Sequence, residues 1–197
     1  MMEKLATAFQ KFDEYNKADD NIFVWEGVEY PQEYFLALQL YQWVLKLDPN
    51  ATEALLLASR SQHIGRWEIA RETYPDGRVG YLTWRKDLSF FHAKKAKEIL
   101  TEVGYEEEEI AKVERIILKQ RIKTDPEVQT MENALCLVFL QFQYEDFHPK
   151  YAPEKVINIL KKSLLKMDAH GHQFALKLTY SPQGLAYIQE ALKLLAE

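Results

Sequence analysis

Leu5, Phe9, Phe12 and Tyr15 recur at steps of three and four along residues 2–16, the spacing that lines one face of an α-helix. The polar run from Asn16 to Asn21 should end it. Residues 21–31, NIFVWEGVEYP, are too short, too aromatic and too close to Pro31 for a helix, and predict a short extended or looped segment that plugs into the core. Pro31 opens a helix over 32–47, where Tyr34, Leu38, Tyr41 and Leu45 form the ladder and Asp48-Pro49 the stop. Residues 51–64 are apolar nearly all round in their first half, as suits the central helix of a bundle. From Trp67 to Gly80 the pattern breaks into a loop around a Tyr74-Pro75-Asp76-Gly77 turn. A loop of roughly a dozen residues is uncommon in a compact domain unless it is functional.

The helical period returns over 81–103, with Leu82, Leu88, Phe91 and Ile99 expected toward the core and Gly104 as the stop. Four glutamates, 106–109, open a further helix running to Arg121, where negative charge meets the positive helix end. The most apolar helix covers 128–147 and should be fully buried. Amphipathic helices follow over 153–167, 169–178 and 181–197, the last with Ser181 as N-cap. No segment alternates long enough to be a convincing strand and no repeat of fixed period occurs. The expectation is an all-α bundle of about eight or nine helices, one domain over 1–197.

Composition changes this picture little and function more. Apolar residues make up 47%, enough for a sizeable core. The net charge of −5 draws the molecule as a whole neither to nucleic acid nor to an anionic membrane. Cys136 is the sole cysteine, which excludes a disulfide framework, and its ALCLVFL setting reads as a small buried hydrophobe. Without an apolar leader core at 1–16 or an apolar run near the ~20 residues that span a bilayer, a cytoplasmic protein is expected.

Against the acidic whole, residues 60–85 hold five of the seven arginines against Glu68, Glu72 and Asp76, a local net of +2. A guanidinium is always charged and costly to bury unless a carboxylate, a phosphate or an aromatic face meets it. Arg60, Arg66, Arg71, Arg78 and Arg85 could clamp a phosphate, with Trp67 or Trp84 stacking; ion pairs to Glu33, Glu68 and Glu72 are the plainer reading. Lys166, with His170 and His172, could border the same cleft. His63 and His92 lie in core-forming helices, and Glu132, in the buried helix, is the carboxylate to join them. Two histidines and a carboxylate with an open position suit one divalent ion, Mn, Fe, Ni or Zn, and an activated water; two imidazoles simply hydrogen-bonded in place are the alternative.

Taken together, QHIGRWEIARETYP, GYLTWR, HAKKAKEIL, MENALCLVFL and KMDAHGH resemble the domain of unknown function 4202 family over nearly the whole chain. That resemblance implies no established activity; Asn133 stands where many members carry an aspartate after the glutamate. A more distant likeness is to HD-domain phosphohydrolases. Gln62-His63-Ile64-Gly65-Arg66 resembles their HDIGK-type motif, His92 the next histidine helix and Glu132 the closing aspartate. Gln62 and His63 depart from the motif's His and Asp. His63-Ile64-Gly65-Arg66 and Lys166-Met167-Asp168 also look like degraded synthetase signatures, but those need a parallel sheet that this chain lacks, so synthetase activity is set aside. Two functions follow. One is a helical ligand-binding domain whose Arg/Trp/His cleft takes an anionic, phosphorylated or nucleotide-like ligand, in its enzymatic form a degenerate HD-like metal-dependent hydrolase, with His63 and Glu132 catalytic and Arg60, Gln62, Arg66, Trp67, Arg71, Arg85 and Lys166 on the ligand. The other is a non-catalytic module that docks an acidic partner or RNA through the Arg60–Arg85 loop.

Overall fold

Proline and glycine punctuate the chain where its helices begin and end, and the computed structural model describes residues 2–196. Met1 and Glu197, the ends of the expected domain, lie outside the described residues. Helix α1 covers Met2–Asn16, strands β1 and β2 Ile22–Trp25 and Val28–Pro31, α2 Gln32–Leu47 and α3 Glu53–Ser61. After two 3-10 turns at Arg66–Glu68 and Arg71–Thr73 come α4 at Gly77–Val103 and α5 at Glu107–Ile117. Helices α6 to α10 span Pro126–Phe142, Tyr144–Phe147, Pro153–Lys166, Ala169–Ala175 and Pro182–Ala196. The fold is all-α apart from one small hairpin.

Helix α6 is the hub. Val128, Met131, Ala134 and Leu137 are fully buried along one stripe, and Cys136 and Val138 are covered on other faces. It packs on α2, α3, α5, α8 and α9, while α8 and α10 pair outside it. Asp125 caps it, its carboxylate accepting from the N–H groups of Glu127 and Val128 at 3.0 and 3.3 Å. Ser181 caps α10 as expected, its hydroxyl accepting from Gly184 N–H at 3.1 Å.

Four expectations need correction, each for a local reason. The aromatic segment forms an antiparallel hairpin, because Glu26 and Gly27 both take positive φ (50° and 80°), the twist that a two-residue turn requires. Phe23 and Trp25 still plug into the core, against Phe35. Helix α4 begins at Gly77, not at 81. Gly80 is inside it, and a Cβ there would lie 1.9 Å from the Pro75 carbonyl oxygen. Gly80, Trp84, Leu88 and His92 therefore form its buried stripe, and Leu82, expected inside, is 52% exposed. Helix α5 stops at Ile117, since Lys119, Arg121 and Lys123 adopt left-handed φ of 54°, 60° and 74°. The long apolar helix breaks at Gln143 into α6 and α7.

Candidate functional site: a cationic cleft with a histidine floor

The end of α3, the turn after it and the middle of α4 converge because one hydrogen bond joins them. His92 Nδ1 lies 2.7 Å from the Ile64 carbonyl oxygen, which can only accept, so Nδ1 carries the proton and Nε2 keeps its lone pair. Gly65 makes the turn possible. It takes φ 67°, and a Cβ there would press on Phe91 at 2.8 Å and on the Glu68 carboxylate at 2.9 Å. Beyond it the loop is braced on α4. The Trp84 indole donates to the Ile69 carbonyl at 2.8 Å, and Tyr74 Oη donates to Asp87 at 2.9 Å.

A cleft of about 240 Å³ opens between this turn, α4 and the end of α5. Gln62 and His92 form its floor and are 3% and 2% exposed. Gln62 Nε2 donates to the Ile117 carbonyl at 3.0 Å, and neither its Oε1 nor His92 Nε2 has a partner among the described residues. Arg66, Arg85, Lys86 and Lys119 line the walls and mouth, and among the described residues no carboxylate lines the cleft. The Arg66 guanidinium rests 5.1 Å above the Trp84 ring, and its Nε is 3.7 Å from Glu33. Arg85 leans on Tyr81 at 5.9 Å.

Half-buried His63 separates this cleft from an inner cavity of about 60 Å³ that also meets Asn16, Glu33, Ser59 and Gln143. The His63 and His92 rings are 5.7 Å apart. Burial, and then the charges of Arg66, His92, Lys119 and Arg85, hold the His63 imidazole well below its ordinary range. Burial likewise lowers His92 to about 4, against the pull of the Ile64 carbonyl. Both rings are neutral at pH 7. Behind them burial pushes Glu33 up to about 7, although the Arg66 guanidinium draws it down.

The other expected site residues divide. Glu132 does not join the histidines: its carboxylate is 2.7 Å from Lys119 Nζ and 3.5 Å from Lys166 Nζ. Burial would raise that carboxyl, but the two ammonium groups outweigh it and keep it below the ordinary carboxylate range. Among the described residues no three His, Cys, Asp or Glu side chains gather as a metal-binding set. Arg60 is buried on α3, paired with Asp13 and packed over Phe9 and Tyr41. Arg71 donates to the carbonyls of Tyr74 and Pro75 at 2.9 and 3.0 Å and braces the loop. Arg78 is exposed. Trp67 packs beside Tyr15 in a separate groove edged by Glu14, Glu68 and Glu102. His172 bonds the Leu164 carbonyl, and Asp168 caps α9.

Lys86 and Lys119 escaped the sequence reading. Lys119 directly follows the apolar run Ile116-Ile117-Leu118, where a helix could end, while Lys86 is marked only by following Arg85. Elsewhere Ser181, His148 and Glu145 meet, but Ser181 Oγ at 3.3 Å and the Glu145 carboxylate at 3.2 Å both approach the same Nε2. A proton relay through two ring nitrogens is not built there.

An all-α protein with a histidine-floored cationic cleft is therefore the class that fold and geometry define. The model for a domain of unknown function, DUF4202, matches residues 6–188, and the chain belongs to that family. No curated protein and no solved structure matches it.

Proposed function

We propose that this chain binds a small phosphorylated ligand in the cleft between α3, α4 and α5. One observation carries the reading: Arg66, Arg85, Lys86 and Lys119 line a cleft in a protein of net charge −5, and no carboxylate among the described residues lines it, although Glu33 and Glu132 outside the lining pair Arg66 and Lys119. A guanidinium or ammonium on a phosphate oxygen forms the stronger, charge-assisted kind of hydrogen bond, and Arg66 is already oriented by Trp84. The RNA or acidic-partner reading draws less support, since Arg60 and Arg71 are engaged inside the protein. Pyrophosphate titrated calorimetrically into the full chain is expected to bind. Arg85→Ala, an exposed change, should weaken it on the order of tenfold, because a bond to a charged group contributes ~1.5–3 kcal/mol. Equal affinity in wild type and variant would remove the cleft as the site.

The hydrolytic form of this reading uses the neutral His92, whose free Nε2 can accept a proton from a water that bonds to the bound phosphorus as the ester P–O bond breaks and the alcohol leaves. Where a divalent ion is used instead, it would take His92 Nε2 and His63 with ligand oxygens and would itself activate the water in place of that base, Glu132 being held by its lysines. Release of p-nitrophenol from p-nitrophenyl phosphate, with and without added Mn, tests it. Turnover that survives His92→Gln undiminished contradicts it.

A further inference from the structure

The cationic walls account for an anion but not for the floor. Gln62 Oε1 and His92 Nε2 are both acceptors, both without a partner among the described residues, and both closed off from solvent beneath the cleft, so a ligand reaches them with a shift of the side chains that line it. An acceptor left unmet away from water costs about 1–3 kcal/mol, so such a floor favours whatever brings donors to it. We infer that the cleft takes a hydroxyl-bearing phosphate, a polyol or sugar monophosphate, with its hydroxyls donating to Gln62 and His92 and its phosphate held by Arg66, Arg85 and Lys119. The inference rests on the anion-binding reading above and narrows it to a substrate class.

Four features select this class. An ammonium group could also donate to the floor, but it would stand among four cationic side chains, and like charges at close range are repulsive. A nucleotide would need an aromatic face for its base. The Trp84 ring is covered by the Arg66 guanidinium and its N–H is engaged by Ile69, while Tyr81 does not line the cleft. Size points the same way, since about 240 Å³ is less than the roughly 300–1,000 Å³ of pockets for drug-sized ligands. A hydroxyl also suits His92 in its present state: with Nδ1 committed as donor to Ile64, Nε2 can only accept. Sites built to bond a hydroxyl discriminate strongly against the analogue that lacks it, because the buried acceptors are then left bare.

Calorimetric titration of the full chain with ribose 5-phosphate, glycerol 1-phosphate and propyl phosphate tests this. The three share a phosphate monoester and differ in hydroxyls. At least one hydroxylated ester should bind on the order of tenfold or more tighter than propyl phosphate. Gln62→Met should shrink that gap while leaving propyl phosphate affinity within about twofold, and the wild-type comparison stands even if the variant fails to fold. Equal binding of all three overturns the inference and leaves the anion-binding reading intact. Binding by none, including pyrophosphate, overturns both.

Discussion

Glu33 is the carboxyl with the most to lose from ionising: 4% exposed, raised to about 7 by burial and only 3.7 Å from one guanidinium. The folded state binds its proton more tightly than the unfolded chain does. Its contribution is therefore fully present below the unfolded pKa of 4.5 and lost as pH rises through about 7. His92, lowered to about 4, behaves oppositely: its contribution is present above pH 6.5 and lost as pH falls through about 4. The two oppose each other between pH 4.5 and 6.5, so variants read them better than the wild-type profile does. Glu33→Gln should match wild type below pH 4.5 and exceed it by on the order of 2–3 kcal/mol above pH 7, measured by denaturant unfolding. A constant difference across pH would contradict the burial of an ionised Glu33. Gly65→Ala should cost about 1–3 kcal/mol, since the new Cβ meets Phe91 and Glu68 in a left-handed turn; an unchanged melting temperature would mean the turn is not held as described.

The elements that carry the site are the ones with special backbone. The stretch from Lys119 to Lys123 places three side-chain-bearing residues in the left-handed region. Arg121→Gly, at an exposed position, should stabilise the protein by about 1 kcal/mol, a rise of some 2–4 °C in Tm, and a drop instead would show that the arginine side chain is needed. Arg71→Ala should lower stability by about 1–2 kcal/mol by stripping two carbonyls of their donor, yet leave pyrophosphate affinity within about twofold. This division explains what the sequence made legible. The apolar periods of 2–16, 32–47 and 128–147 reveal helices there and the burial of α6, though not its break at Gln143, and the spacing of His63 and His92 allows them to be neighbours. Hidden were features set by partners far along the chain. No local pattern says that Arg60 will meet Asp13, that Glu132 will be taken by Lys119 and Lys166, or that Pro75 will pack on Gly80 and rotate Leu82 outward. The Glu26-Gly27 turn was legible in principle, but four-residue strands are too short for alternation to register.

For the molecule as a whole, the cleft is a cationic exception on an acidic protein, with no helix among the described residues long and apolar enough to cross a membrane. On the proposed reading its attraction for anions is partly screened, so pyrophosphate affinity should fall as NaCl rises from 0.05 to 0.5 M, where the Debye length shrinks from above ~10 Å to a few ångströms. The most direct test is an anomalous difference map from a crystal of the full chain soaked in tungstate, an electron-dense mimic of phosphate. A peak among Arg66, Arg85 and Lys119, above Gln62 and His92, is the expected result. Tungstate bound elsewhere with that cleft empty and open to solvent would contradict the account.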